Sequence, residues 1–135
     1  MGGNSSSLVN LRLIDGLPFV TVEISVNNRR LVLDNVLLDT GSGGSIFPAD
    51  RLLDLGLKPS VDDELHVISG VGGSEYAFSK FVDSISIGEI KVENFRIEVG
   101  AMDYGFEIDG ILGMSFLVPI GAVIDMGRYI LSVNL

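Results

Sequence analysis

The chain has 135 residues, 9 Lys and Arg against 18 Asp and Glu, a single His (His66), and neither Cys nor Trp. That length suits one domain able to bury a core unaided, while the lack of Cys excludes disulfides, thiolate metal sites and a Cys nucleophile. One His rules out His-pair metal centres, and a net charge of −9 argues against a nucleic-acid or anionic-membrane surface, which needs clustered Lys and Arg.

Residues 1–7 are small and polar and read as a disordered lead-in or expression remnant, leaving 8–135 as the domain. Gly2 followed by Ser6 fits the permissive myristoylation pattern, but nothing else points to a membrane. No basic segment leads into an apolar one at the start, and the longest apolar stretch, 116–124, is broken by Pro119 and Gly121. A soluble domain without membrane contact is expected, with a cytoplasmic placement favoured.

Leu8–Leu13 and Pro18–Val26 alternate, with Phe19, Val20, Val22, Ile24 and Val26 set against Thr21, Glu23 and Ser25, as half-buried strands do. Asn27-Asn28 reverses the chain into Arg30–Leu33. Val36-Leu37-Leu38 is a short apolar run that ends at Asp39-Thr40-Gly41-Ser42-Gly43-Gly44. Pro48–Leu55 reads as a short helix closed by Gly56. After the acidic bend Asp62-Asp63-Glu64, expected to be solvated, comes a hairpin with arms Leu65–Ile68 and Tyr76–Phe78. Its Gly70-Val71-Gly72-Gly73 tip is expected to be mobile. Phe81–Ile87, Ile90–Val99 and Val123–Val133 read as strands, with turns at Gly88-Glu89 and Gly127-Arg128. Gly110–Leu117 reads as a short helix halted by Pro119. Many short strands with frequent turns predict an all-β barrel or sandwich with one or two short helices.

Leu37-Leu38-Asp39-Thr40-Gly41-Ser42 carries the most chemical information. An apolar strand delivers one carboxylate into a glycine turn with a hydroxyl on each side. Asp-Thr-Gly alone is a common turn, yet a carboxylate at the end of a buried strand is partly desolvated and needs a reason to be there. With the 70–73 hairpin and Ile111-Leu112-Gly113 following in order, the chain from about Pro18 onward resembles the retropepsin-like aspartic proteases, the single-motif relatives of retroviral proteases.

The resemblance implies an acid-protease barrel with one motif per chain and Asp39 as the catalytic carboxylate. It also implies a cross-subunit grip by Thr40, close backbone approach at Gly41, and Ser42 completing the loop. Gly70, Val71, Gly72 and Gly73 become a flap over substrate, and Ile111, Leu112 and Gly113 an apolar support. Val36–Phe47 and Gly110–Val118 are internally similar, but only the first carries an acid in the catalytic slot. Peptide hydrolysis by carboxylates needs two sharing a proton, one neutral and one ionised. One chain supplies one, so a homodimer is implied, with a peptide or protein substrate and neither metal nor other cofactor.

Ile124-Asp125-Met126-Gly127 lacks the hydroxyl residue and reads as a hairpin turn, as does Asp109-Gly110, while Asp103 and Glu107 read as loop acids. His66 is expected to face outward on its strand, and Ser42 and Ser45 to hydrogen-bond the loop or Asp39 rather than act as nucleophiles. Ile130–Leu135 fits either an intrachain strand or one paired across the dimer. Gly43-Gly44 and Met114 stand where retroviral members carry an Asp and an Arg, which favours a cellular or bacterial type of member and leaves subsite geometry open. A catalytically silent binding or dimerisation module is the alternative, and a protease completed by a carboxylate from another protein is a weaker one.

Overall fold

A computed structural model describes residues 6–70, 73–102 and 108–134, with backbone alone at 6, 66, 68–70, 73–75 and 134. The sequence-based expectations for residues 1–5, Val71, Gly72, Asp103, Glu107 and the His66 side chain fall outside the described residues.

The chain forms strands β1 (Ser6–Asn10), β2 (Arg12–Ile14), β3 (Leu17–Val26) and β4 (Arg29–Leu38). Then come β5 (Ile46–Pro48), helix α1 (Ala49–Leu52) and a 3-10 turn over Leu53–Leu55. They are followed by β6 (Leu65–Gly70), β7 (Gly73–Ile87), β8 (Ile90–Gly100) and β9 (Gly110–Leu112). The last elements are helix α2 (Met114–Leu117), β10 (Val123–Asp125) and β11 (Ile130–Asn134).

One sheet runs β2-β3-β4-β9-β5-β8-β7-β6, and an extra pairing of Glu23–Ser25 with Ser84–Ser86 joins β3 to β7. That pairing closes β3, β4, β9, β5, β8 and β7 into a six-stranded barrel and removes their open edges. Alternation sets the two faces. Val20, Val22, Ile24, Leu33, Val36, Val82, Ile85, Ile97 and Val99 point inward and are buried. Phe116 of α2 is fully buried in the core and meets Phe95 edge to face at 5.9 Å.

β1, β11 and β10 make a separate antiparallel sheet with β11 in the middle. Both edges of β11 are therefore occupied within the chain, which selects the intrachain alternative for the C-terminal strand. β1 begins at Ser6, inside the stretch expected as lead-in, and buries Ser7.

The helix expected over Gly110–Leu117 starts late: 110–112 is strand β9, parallel to β4, and only 114–117 is helical. Gly110, at φ +157°, meets Phe47 so closely that a Cβ would lie 2.5 Å from its ring. The register of β3 with β4 slips between Val20 and Val22, placing an extra residue in β4. In that irregular stretch the Asn35 backbone turns to Asp109, donating N–H to its carboxylate at 3.0 Å and accepting its N–H at 2.8 Å.

Candidate active site

β4 delivers its chain end at Leu38, and β9 runs parallel beside it with Leu37 opposite Ile111 and Leu38 opposite Leu112. The ladder extends one residue further, where the Asp39 N–H donates to the Leu112 carbonyl at 3.0 Å. Asp39 thus leaves a buried strand still tied to its neighbour, and its side chain is half-buried. The turn then folds back: Ser42 N–H donates to the Asp39 carbonyl at 3.1 Å, and Gly41 N–H donates to Asp39 Oδ1 at 2.9 Å. The carboxylate is aimed by its own loop. Thr40 and Gly41 are exposed beside it, and a Cβ on Gly41 would come within 3.1 Å of Asp39 Oδ1.

The second segment locks this loop from behind. Met114 N–H donates to the Ser42 carbonyl at 2.8 Å, and Ser115 N–H to that of Gly43 at 2.9 Å. Buried Ser45 accepts from Gly113 N–H at 3.0 Å and shares a 2.9 Å hydrogen bond with the Ser115 hydroxyl. Ser42 Oγ donates to the Gly44 carbonyl at 2.9 Å and so bonds the loop, one of the two roles expected of the serines, whereas Ser45 ties the second segment instead. Gly113 is obligatory: a Cβ there would sit 2.1 Å from the Gly44 carbonyl oxygen. The two internally similar segments therefore lie side by side and interlock. Ser115 was not singled out in the sequence, although Gly113-Met114-Ser115 repeats the Gly-x-Ser spacing of Gly43-Gly44-Ser45 and carries that signal.

The structure brings Asp39, Thr40, Gly41, Ser42, Ile111, Leu112 and Gly113 together. Gly70 and Gly73 pair at the end of the β6–β7 hairpin. That hairpin runs beyond the β8 partner of β7, since β7–β8 pairing starts only at Ala77, and it exposes Leu65, Val67 and Tyr76.

The remaining acids have other roles. Asp109 binds Arg51 at 3.3 Å as well as Asn35, and Asp125 accepts the Arg128 N–H at 3.1 Å in the β10–β11 turn. In the bend at 62–64, Asp62 and Glu64 are exposed as expected of a solvated run, and Asp63 is the exception. Asp63 pairs with Lys80 at 2.9 Å, which with the Ser60 N–H holds its carboxyl below the ordinary value, and Glu64 pairs with Arg96 at 2.9 Å. A surface hollow of about 700 Å³ near the β3–β4 and β7–β8 turns is lined by Glu23, Arg30 and Lys91 among others and does not include Asp39. Among the described residues no group of three or more acids or His is placed to hold a metal ion, and no helix is long and apolar enough to cross a membrane.

Residues 21–116 match the family described as aspartyl protease. Polyporopepsin of Irpex lacteus is 28% identical over 82 residues, covering 59% of this chain and 24% of its own length. The chain thus spans about a quarter of that curated relative. A crystal structure of a retropepsin-like aspartic protease from Rickettsia conorii superposes with a TM-score of 0.65 at 22% identity, covering 96% of this chain and 98% of the other.

Proposed function

Because this chain belongs to the retropepsin-like aspartic proteases, we propose that it is an aspartic endopeptidase acting as a homodimer, with Asp39 of each subunit forming the catalytic pair. The observation that carries the proposal is the locked loop: a single half-buried carboxylate, aimed by the Gly41 N–H and braced from behind by Gly113. Rigid support of that kind is what a catalytic group needs, since small misplacements cost large factors in rate.

In the dimer the two Asp39 carboxylates share one proton, because two like charges at such range do not both ionise. The ionised partner takes a proton from a water lying between them. That water attacks the scissile carbonyl, and the protonated partner donates to the carbonyl oxygen. Collapse of the tetrahedral intermediate then transfers a proton to the leaving nitrogen. No covalent intermediate forms. The exposed Thr40 grips the other subunit's loop, and the projecting β6–β7 hairpin covers an extended substrate held by backbone hydrogen bonds. A two-stranded ribbon beyond the barrel is only marginally stable alone, which suits a segment that opens and closes.

The partner surface follows from the small sheet. With β11 enclosed, the free edges belong to β1 and β10, where Leu8, Val123 and nearby Met126 and Tyr129 are exposed. Wild-type and Asp39→Ala protein incubated with a mixed peptide library from acidic to neutral pH, with oligomeric state measured alongside, test this reading. Cleavage by the wild type alone, from a dimer, is expected. Cleavage that survives Asp39→Ala, or full activity in a strict monomer, overturns it.

A further inference from the structure

We propose that Asp109 and Arg12 are positioning residues for Asp39: together they lock the irregularity in β4 that decides on which face of the barrel the carboxylate emerges. The consequence for rate rests on the endopeptidase reading above. Leu31 and Leu33 are buried before the irregularity, and Val36 and Leu38 after it, so the inward positions change from odd to even. The change comes from the extra residue: Val20 pairs with Val36 and Val22 with Leu33, which sets three steps of β4 against two of β3. Leu37 then falls on the outward face and is half-buried, and Asp39, two residues on and still tied to Leu112, continues that face. Without the extra residue the alternation of Leu31 and Leu33 would carry through to Leu37 and Asp39. The carboxylate would then be aimed into the apolar core, where an unpaired charge is costly.

A bulge leaves backbone groups of the longer strand without partners in the ladder, and here side chains from outside the β3–β4 pair take them. Arg12 of β2 donates to the Asp34 carbonyl and, at 3.1 Å, to the hydroxyl of Thr21, the β3 residue opposite the bulge. Asp109, just before β9, takes both backbone groups of Asn35. Its Oδ2 accepts the N–H at 3.0 Å, and its own N–H donates to the carbonyl at 2.8 Å. Its Oδ1 lies 3.3 Å from Arg51 Nη1, and Arg51 Nη2 donates to the Val32 carbonyl at 3.5 Å, so α1 braces the same point. From there β4 and β9 run in parallel register only from Val36–Gly110 to Leu38–Leu112. Asp39 lies four residues past Asn35, and Gly113 four past Asp109. The Asn35–Asp109 link therefore closes the inner end of this ladder, as the interlock of Gly113 with the Asp39 loop closes the outer one. So short a pairing has little hold of its own, and a slip at its inner end would reach the carboxylate.

The test measures kcat and KM for an Asp39-dependent peptide cleavage in wild type, Asp109→Ala, Asp109→Asn, Arg12→Met and Leu31→Ala, with amide hydrogen exchange followed by NMR in the same proteins. Leu31→Ala weakens the same strand upstream of the bulge and is the structural control. Asp109→Ala is expected to lower kcat about thirtyfold with KM changed less than about twofold. Asp109→Asn keeps an oxygen to accept the Asn35 N–H and should regain most of that loss. The Asp39 and Met114 amides should exchange about tenfold faster in Asp109→Ala, relative to those of β7, and not in Leu31→Ala. Arg12→Met removes an exposed side chain and tests the lock if Asp109→Ala does not fold; a fall in kcat of about fivefold, with the same local exchange, is expected. Asp39 exchange no faster in Asp109→Ala or Arg12→Met overturns the inference, as does a kcat no lower than that of Leu31→Ala. Wild-type protein without Asp39-dependent cleavage removes the endopeptidase reading instead, and faster exchange confined to Asp39 and Met114 then leaves the lock standing.

Discussion

Gly113 has no room for a side chain, since a Cβ would overlap the carbonyl oxygens of Gly44 and Ser42 at 2.1 and 2.5 Å, both on the loop that carries Asp39. Backbone atoms cannot swing aside as a flexible side chain does. Gly113→Ala is expected to cost about 3 kcal/mol in urea unfolding and to lower kcat with it; a loss too small to measure contradicts the packing. Ser45→Ala leaves the buried Gly113 N–H without its acceptor, for an expected loss of about 2 kcal/mol in the same measurement.

Asp63 makes a different prediction, one of pH. Its pairing with Lys80 and the Ser60 N–H favours the charged form and lowers its pKa, so the stabilisation is full above the ordinary value near 3.8 and fades as pH falls through the lowered folded value. Thermal melts of wild type and Asp63→Asn should therefore differ at neutral pH and converge below pH 3.8; a gap that widens on acidification contradicts the pairing. Asp39 and Gly113 were legible in sequence because each sits in a short local motif whose spacing constrains it. Asp63 was not, because its partner lies across the fold on β7 and a run of three acids gives no hint of a non-local cation.

At the scale of elements, alternation says which face a strand buries but not which strand lies beside it. Ile130–Asn134 shows the difference: its pattern was as compatible with pairing across a dimer as within the chain, and only the β10–β11 turn together with β1 encloses it. The parallel stretch β9 reads as helix in the sequence for a related reason. Three residues are too few to show a period, and Gly110 with Gly113 on either side of Ile111-Leu112 fits a helix start as well as a tight crossing. The barrel strands were legible because their runs are long and their inward side is uniformly Val, Ile and Leu. If β11 is the centre of its sheet, the fully buried Leu131 should matter far more than an equally apolar residue on an outer face. Leu131→Ala is expected to lose about 3 kcal/mol, and the exposed Val32→Ala less than about 0.5 kcal/mol, in urea unfolding at one fixed protein concentration.

At the scale of the whole molecule, the fold supplies one barrel, one aimed carboxylate and one projecting hairpin, while the proposed chemistry uses two carboxylates. Two-fold symmetry resolves the mismatch without any new residue, because an isologous interface places the same group on both sides of its axis. That solution has a consequence that a self-sufficient chain does not share. On the proposed homodimer, a subunit carrying Asp39→Asn that still folds and pairs would spoil every site it enters, so it should poison the wild type when subunits exchange. For equal amounts of the two proteins mixed to equilibrium, random pairing leaves about a quarter of all dimers with both carboxylates, half as many as the same wild-type protein forms alone. Peptidase activity per wild-type subunit should therefore fall to roughly half, and continue to fall as the variant is added in excess. Activity that stays constant at every ratio, under conditions where subunit exchange is demonstrated by mass spectrometry of labelled chains, would mean that each chain completes its own site. In that case the second carboxylate would have to be sought within the same chain, and the reading of Asp39 as half of a shared pair would be lost.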